Sequence, residues 1–182
     1  VLNRGNVIYD GDVDAGIALY MENSLGENRV DIDLETAART DNGNAPLVRM
    51  TRLRLPDRDL PVYEPGETMR LLLNVTSDRE REVLFRLTLR TDMDTALGTA
   101  WSRKFLLREG EQEVSFALPL LGLEKGTFYG CIGLYEELAL GRKKTLDYVA
   151  RAFMTEVEGS PVWSTESHGY VELGEIDIIN EH

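Results

Sequence analysis

Residues Gly126–Glu136 read Gly-Thr-Phe-Tyr-Gly-Cys-Ile-Gly-Leu-Tyr-Glu, and they alternate. Phe128, Ile132 and Leu134 fall on one face of an extended strand, with Gly130 between them. Tyr129, Cys131, Gly133 and Tyr135 fall on the other, because successive side chains of a strand point to opposite faces. The first face is core. The second carries two tyrosines separated by two small residues. Small residues permit close approach to the backbone, and tyrosine offers a flat apolar ring with a polar tip. That pattern suits a shallow binding surface on a sheet, and it equally suits a second layer of packing.

Working outward, the same period recurs from Leu47 onward. Val48–Leu55, Leu60–Tyr63, Thr95–Trp101, Tyr148–Val157 and Tyr170–Ile179 read as strands. Met69, Leu71, Leu73 and Val75 line one face of a further strand, and Val114, Phe116 and Leu118 another, which Pro119 ends. Val83, Phe85, Leu87 and Leu89 form a core face opposite Leu84, Arg86, Thr88 and Arg90. Glu64-Pro65-Gly66-Glu67 has Pro and Gly at favoured turn positions, while Asp92-Met93-Asp94 and the loop from Gly141 through Lys144 separate other strands. Short strands at regular spacing predict an all-β fold, an antiparallel jelly-roll or immunoglobulin-like β-sandwich.

The chain ahead of this region differs. Val1–Tyr9 reads as a hairpin turning at Asn3-Arg4-Gly5-Asn6, and Asp12 then caps a short helix with Val13, Ile17 and Tyr20 at helical spacing. Asp10, Asp12 and Asp14 occupy calcium-loop positions. Ala15 stands where such a loop needs Gly, however, and Met21 where it needs Glu, so a helix start is the simpler reading. Residues 23–46 are polar, carry Asn42-Gly43 and read as a linker. Within them Val30, Ile32 and Leu34 alternate with Asp31 and Asp33, as an edge strand or a flexible tether would. The expected organisation is therefore 1–22 as a hairpin-plus-helix appendage, 23–46 as linker and 47–182 as the sandwich.

Composition narrows the function. The 182 residues are 42% hydrophobic and 29% charged with a net charge of -12. An excess of acid argues against nucleic acid or an anionic membrane as a partner held by bulk charge. No apolar run approaches the roughly 18 residues of a membrane span, and the opening residues lack the basic and apolar regions of a secretion signal. Cys131 is the single cysteine, which excludes an intramolecular disulfide and fits a reducing compartment. The chain has no phosphate loop ending in Lys-Ser or Lys-Thr and no Gly-x-Ser-x-Gly elbow. Its histidines are His168 and His182, which with one mid-strand cysteine offer neither a Cys–His dyad nor a zinc site. No catalytic residue, metal ligand or cofactor site is assigned. Carboxylates are numerous enough that a glycosidase pair stays open, though nothing singles out two.

Trp101, Trp163, Tyr129, Tyr135 and Tyr148 are the large aromatics available for stacking. Strand parity puts Arg86, Thr88, Arg90, Tyr129 and Tyr135 on the non-core faces of their strands, and in a common sheet these would share one surface. Rings for sugar C–H faces and arginine forks for hydroxyl or acidic groups are what a glycan needs. Burial of this face by residues 1–22 or by a partner subunit is the competing expectation.

Two stretches resemble a known family. Residues 5–12, Gly-Asn-Val-Ile-Tyr-Asp-Gly-Asp, followed by residues 15–20, Ala-Gly-Ile-Ala-Leu-Tyr, look like the closing strands and helix of an ABC ATPase domain. Residues 48–55, Val-Arg-Met-Thr-Arg-Leu-Arg-Leu, then residues 63–67, Tyr-Glu-Pro-Gly-Glu, and Gly126–Tyr135 resemble the glycan-recognition domain appended to the nucleotide-binding subunit of polysaccharide ABC exporters, the Wzt type that handles O-antigen. The resemblance covers roughly residues 47–180 and rests on hydrophobic and turn patterns. It implies a cytoplasmic, non-catalytic carbohydrate-binding module, peripheral to the inner membrane. Such a module would recognise the exported polysaccharide and give the transporter its cargo selectivity. It also implies a homodimer, joined to the transmembrane subunit through the parent ATPase. The ATPase motifs are absent from this sequence, so the chain itself is not expected to hydrolyse ATP. The glycan-binding residues expected from parity and aromatic character are Tyr129, Tyr135, Arg86, Arg90, Thr88 and Trp101. The alternative is a dimerisation or docking module without glycan contact.

Overall fold

The computed structural model describes residues 2–3, 6–7, 11, 30–39, 47–91, 93–123, 125–158 and 173–181. In chain order the strands are β1 (Leu2–Asn3), β2 (Asn6–Val7), β3 (Asp31–Asp33), β4 (Val48–Arg54), β5 (Val62–Tyr63), β6 (Thr68–Ser77), β7 (Arg81–Thr91), β8 (Ala96–Trp101), β9 (Phe105–Leu107), β10 (Gly110–Pro119), β11 (Gly126–Glu137), β12 (Lys143–Val157) and β13 (Asp177–Glu181). One sheet runs β3-β4-β6-β10-β13 and the other β5-β12-β11-β7-β8, with β9 also against β7. Among the described residues every pairing of these strands is antiparallel except the short β5–β12 contact, and a single bridge between Ser102 and Ile176 is parallel too. The chain is an all-β sandwich. Among the described residues no helix is long and apolar enough to cross a membrane.

Alternation builds the core. Met50, Leu53, Met69, Leu71, Leu73, Val75, Phe116 and Leu118 of the first sheet are buried against Phe85, Leu87, Leu89, Ile132 and Leu134 of the second. The two layers meet where Phe85 stacks on Phe116 at 4.2 Å between ring centroids, with Phe105 edge-on to Phe116 at 5.6 Å. Phe128 is buried as its parity requires, and Gly130 leaves the space that the Phe153 ring fills from β12. The turn at Glu64–Glu67 forms as the sequence dictates. The Glu67 N–H donates to the Glu64 carbonyl at 3.2 Å, with Pro65 at the second position and Gly66 at φ +85° at the third, the type II arrangement.

Several boundaries differ from the sequence reading. Phe105–Leu107 is a strand of three residues, too short for a periodicity to show. β12 begins at Lys143, inside the stretch read as a loop, because only Ala139–Gly141 is needed for the hairpin turn. The last strand is Asp177–Glu181, and Leu173–Glu175 precede it without strand pairing. The two short strands expected on either side of the first turn pair antiparallel, with Leu2 opposite Val7 and Asn3 opposite Asn6. The helix expected after Asp12, the Asp10–Asp14 motif and Trp163 lie outside the described residues.

The described part of the stretch read as a linker is held tightly on the sandwich. β3 pairs with β4 as an edge strand, and Leu34 is 1% exposed. Arg39 then ties the segment to both sheets. Its Nε donates to Asp147 Oδ1 at 2.8 Å, Nη1 to the carbonyls of Leu34 and Ala37, and Nη2 to the carbonyl of Met50 at 2.6 Å. Asp147 on β12 also accepts the Met50 N–H at 2.7 Å. A polar stretch with one buried leucine and one arginine resembles a solvated tether in sequence. Here three carbonyls and a buried carboxylate organise it.

Candidate functional site

The face of the second sheet that points away from the core is read row by row from the register. Trp101 of β8 lies opposite Arg86 of β7, Arg86 opposite Gly133 of β11, and Gly133 opposite Tyr148 of β12. Four adjacent strands thus contribute one line across the sheet. Gly133 has no side chain, and the Tyr135 ring leans back over it. A Cβ at Gly133 would meet Tyr135 Cε2 at 2.8 Å and its hydroxyl at 3.0 Å. The row therefore reads Trp101, Arg86, Tyr135, Tyr148.

These four side chains form one cluster. The Arg86 Cζ lies 4.8 Å from the Tyr135 ring centroid, 5.5 Å from Trp101 and 5.6 Å from Tyr148. Trp101 and Tyr135 meet edge to face at 5.1 Å. A guanidinium over aromatic faces is attracted by their quadrupoles, most strongly where water is excluded. Burial pushes the Tyr135 phenol up, against the pull of Arg86 and of a hydrogen bond with Thr145. Burial also pushes the Tyr148 phenol up, and its hydrogen bond with Cys131 adds to the shift. Both tyrosines are therefore neutral hydroxyls at ordinary pH and contribute no charge against Arg86. Lys143 Nζ stands 4.9 Å from the Trp101 ring. Its cross-strand neighbour Glu137 is held below its usual range by the hydrogen bond from Lys104, at 2.7 Å.

The remaining expected residues lie farther along the sheet. Thr88 is opposite both Thr99 and Cys131, and its hydroxyl bonds that of Thr99 at 2.9 Å. Tyr129 lies beyond, with the Arg151 guanidinium 4.6 Å from its ring. A bulge in β12 puts it there: the register jumps between Gly130 and Ile132, and Arg151 adopts φ +50°. Arg90 is opposite Tyr129 in register, but its fork closes the β7–β8 turn, with Nε donating to Asp94 Oδ1 at 2.7 Å.

Of the six residues expected at a site, Arg86, Tyr135 and Trp101 come together; Thr88 and Tyr129 share their face, and Arg90 is committed to its own turn. Tyr135 is 6% exposed, so its ring supports its neighbours more than it meets solvent. Trp101, Tyr148, Tyr129 and Arg86 are half-buried and supply the accessible surface. Sequence reasoning did not place Tyr148, Lys143 or Arg151 on this face. Tyr148 was visible as an aromatic, but the bulges that set β12's parity leave no signal.

A cleft of about 290 Å³ opens beyond this row, lined by Arg79, Glu82, Leu84, Lys104, Glu136 and Glu137 among others. Its central charges are paired with one another, Lys104 with Glu137 and Glu82, so the aromatic row is the better candidate. Among the described residues no group of His, Cys, Asp or Glu is arranged to hold a metal ion.

No protein-family model matches the chain, and no curated protein matches it in sequence. Solved structures do match in shape. The C-terminal domain of Wzt superposes with a TM-score of 0.58 at 14% identity, over 71% of this chain and 83% of that one. The sporulation control protein Spo0M of Bacillus subtilis gives a TM-score of 0.38 at 16% identity, over 64% of this chain and 51% of its own. The first establishes a shared sandwich fold, and the second carries no weight.

Proposed function

We propose that this chain is a non-catalytic carbohydrate-recognition module. It would bind the polysaccharide cargo of an ABC exporter on the outward face of its second sheet. The observation that carries the reading is the row Trp101, Arg86, Tyr135 and Tyr148, an aromatic surface with a cationic centre on a sandwich of the Wzt C-terminal shape. Half-buried rings suit the C–H faces of sugars, and the Arg86 fork and the Tyr148 hydroxyl supply directional hydrogen bonds. The resemblance of residues 5–12 and 15–20 to the end of an ATPase domain supports a module carried on a nucleotide-binding subunit, which would be present in two copies beside a transmembrane subunit at the cytoplasmic side. Two weak sites on one long polymer gain through effective concentration.

The experiment is titration of the protein with isolated exporter polysaccharides, alongside Trp101→Ala and Tyr148→Ala. Each lost stacking contact is worth roughly 0.5–1.5 kcal/mol beyond area, so affinity should fall about three- to tenfold with the melting temperature nearly kept. Wild-type affinity in both variants, together with altered sedimentation, would make the face a docking surface between subunits instead.

A further inference from the structure

We infer that Arg86 is an anion receptor, and that the glycan taken by this face carries an acidic substituent, a carboxylate or a phosphate ester, on a sugar ring. The inference rests on the glycan reading of the same face.

The ground is how the other shielded arginines are used. Arg39 is paired with Asp147, Arg58 with Glu67, Arg81 with Asp78 and Arg90 with Asp94. A chain with 32 acidic and 20 basic residues has carboxylates to spare. Arg86 has none: among the described residues its side chain makes no ion pair and no hydrogen bond, and its Nε is buried without a partner, as are Arg54 Nε and Arg81 Nε and Nη1 in two arginines that do hold a carboxylate. It is held by three ring faces alone.

The acids nearest this face are already committed. Glu137 is bonded to Lys104, Asp94 to Arg90, and Asp147 points to the core side with Arg39. What faces Arg86 from the neighbouring strands is neutral: Trp101 on β8, Thr88 on its own strand, Tyr135 and Cys131 on β11, Tyr148 on β12. Lys143 and Arg151, the other cations of the face, make ring contacts and, among the described residues, no ion pair, although Lys143 lies opposite Glu137 and helps hold its carboxyl down. A protein of net charge -12 thus presents a locally positive surface.

A guanidinium kept free of carboxylates, partly desolvated and oriented by rings, is prepared for a planar or tetrahedral oxyanion that accepts from two N–H groups at once. A neutral sugar hydroxyl does not need that arrangement. The rings also restrict the fork, so less freedom is lost when it is engaged.

The test compares matched polymers on the wild-type protein: polygalacturonate against its fully methyl-esterified form, and phosphorylated mannan against neutral mannan. The expected result is roughly tenfold or tighter binding of the charged member of at least one pair, weakening as salt is raised. Preference in the first pair alone identifies a carboxylate, in the second alone a phosphate. Arg86→Gln should bring the charged and neutral affinities together. Arg86→Lys should keep part of the preference, as a point charge lacks the fork. Equal affinity for charged and neutral polymers, lost in Trp101→Ala, would overturn the anion and leave the glycan face standing. Binding of no polymer at this face would overturn both. The comparison within each pair is made on wild-type protein, so it stands whether or not the Arg86 variants fold.

Discussion

Replacing Arg39 with Ala should be among the most damaging single changes in the chain, although it falls in a stretch whose composition reads as linker. The side chain is 12% exposed and its partner Asp147 4%. The substitution removes two contacts to the carboxylate and takes a donor from each of the carbonyls of Leu34, Ala37 and Met50, of which Leu34 keeps the Ala37 N–H. Asp147 would then be a buried anion supported, among the described residues, by the N–H groups of Met50 and Tyr148. Breaking a buried pair from one side costs about 3–5 kcal/mol, because the remaining charge is stranded. That is a large share of a typical total of about 5–15 kcal/mol, and corresponds to a loss of roughly 6–20 °C in melting temperature for a chain of this size. The assay is urea unfolding followed by tryptophan fluorescence, with the midpoint and slope fitted together. Arg39→Met combined with Asp147→Leu should recover much of the loss, since well-packed apolar replacements of a buried pair are often neutral. An Arg39→Ala protein within about 1 kcal/mol of wild type would refute the reasoning, because it would mean that the pair is solvated.

Three further outcomes follow from local geometry. In Gly130→Ala the new Cβ would lie 2.1 Å from Phe153 Cε1, a ring 3% exposed with nowhere to retreat, so stability should drop by about 1–3 kcal/mol in thermal melting. Gly133→Ala meets Tyr135 Cε2 at 2.8 Å and should lift that ring off the sheet; because it faces outward, melting should change little while polysaccharide binding falls, and unchanged binding would remove Tyr135 from the site. Burial pushes the Tyr63 phenol up to about 12, against the pull of Arg58, whereas the unfolded chain ionises near 10. Between those values the unfolded state binds fewer protons, so stability should decline as pH rises from about 10 to 12, by up to about 2–3 kcal/mol, and Tyr63→Phe should flatten the decline measured by urea unfolding at each pH.

What the sequence made legible was whatever depends on a period of two and on turn chemistry. β6, β7 and β10 were readable because their large apolar residues recur at every second position, and β11 because Gly130 is the one break in that period. The Pro65-Gly66 turn was readable because its dihedrals demand those residues. Neighbour relations were not readable. Arg86 and Tyr135 were each assigned correctly to outward faces, but Trp101, 15 positions away from Arg86 in sequence, joins them only because β8 folds back in a particular register. The two register shifts in β12 decide which face its side chains take from Thr145 to Phe153, and nothing in Thr-Leu-Asp-Tyr-Val-Ala-Arg-Ala-Phe announces them. Arg39 was missed for a related reason: one arginine among polar residues gains meaning only from an aspartate 108 positions later.

The glycines of β11 change how a ligand would have to approach. In sequence, Gly130 and Gly133 suggest room for something to come close to the backbone. Both spaces are filled from within the chain: Gly130 by Phe153 on the core side, Gly133 by Tyr135 on the outer side. β11 is the middle strand of its sheet, so the centre of the outward face is already covered by a layer of protein. A ligand cannot bond to that stretch of backbone, whose hydrogen bonds serve β7 and β12 in any case. It must rest on the covering layer, where Trp101, Tyr148 and the Arg86 guanidinium are what it meets. Recognition at such a surface depends on ring contact and charge, with Tyr135 acting beneath as the support that orients Arg86. The two kinds of substitution should therefore separate. Trp101→Ala and Tyr148→Ala should weaken neutral and charged glycans alike, while Arg86→Gln should act on the charged ones alone. A Tyr135→Phe protein, which keeps the ring and loses only the bond to Thr145, should bind as wild type does.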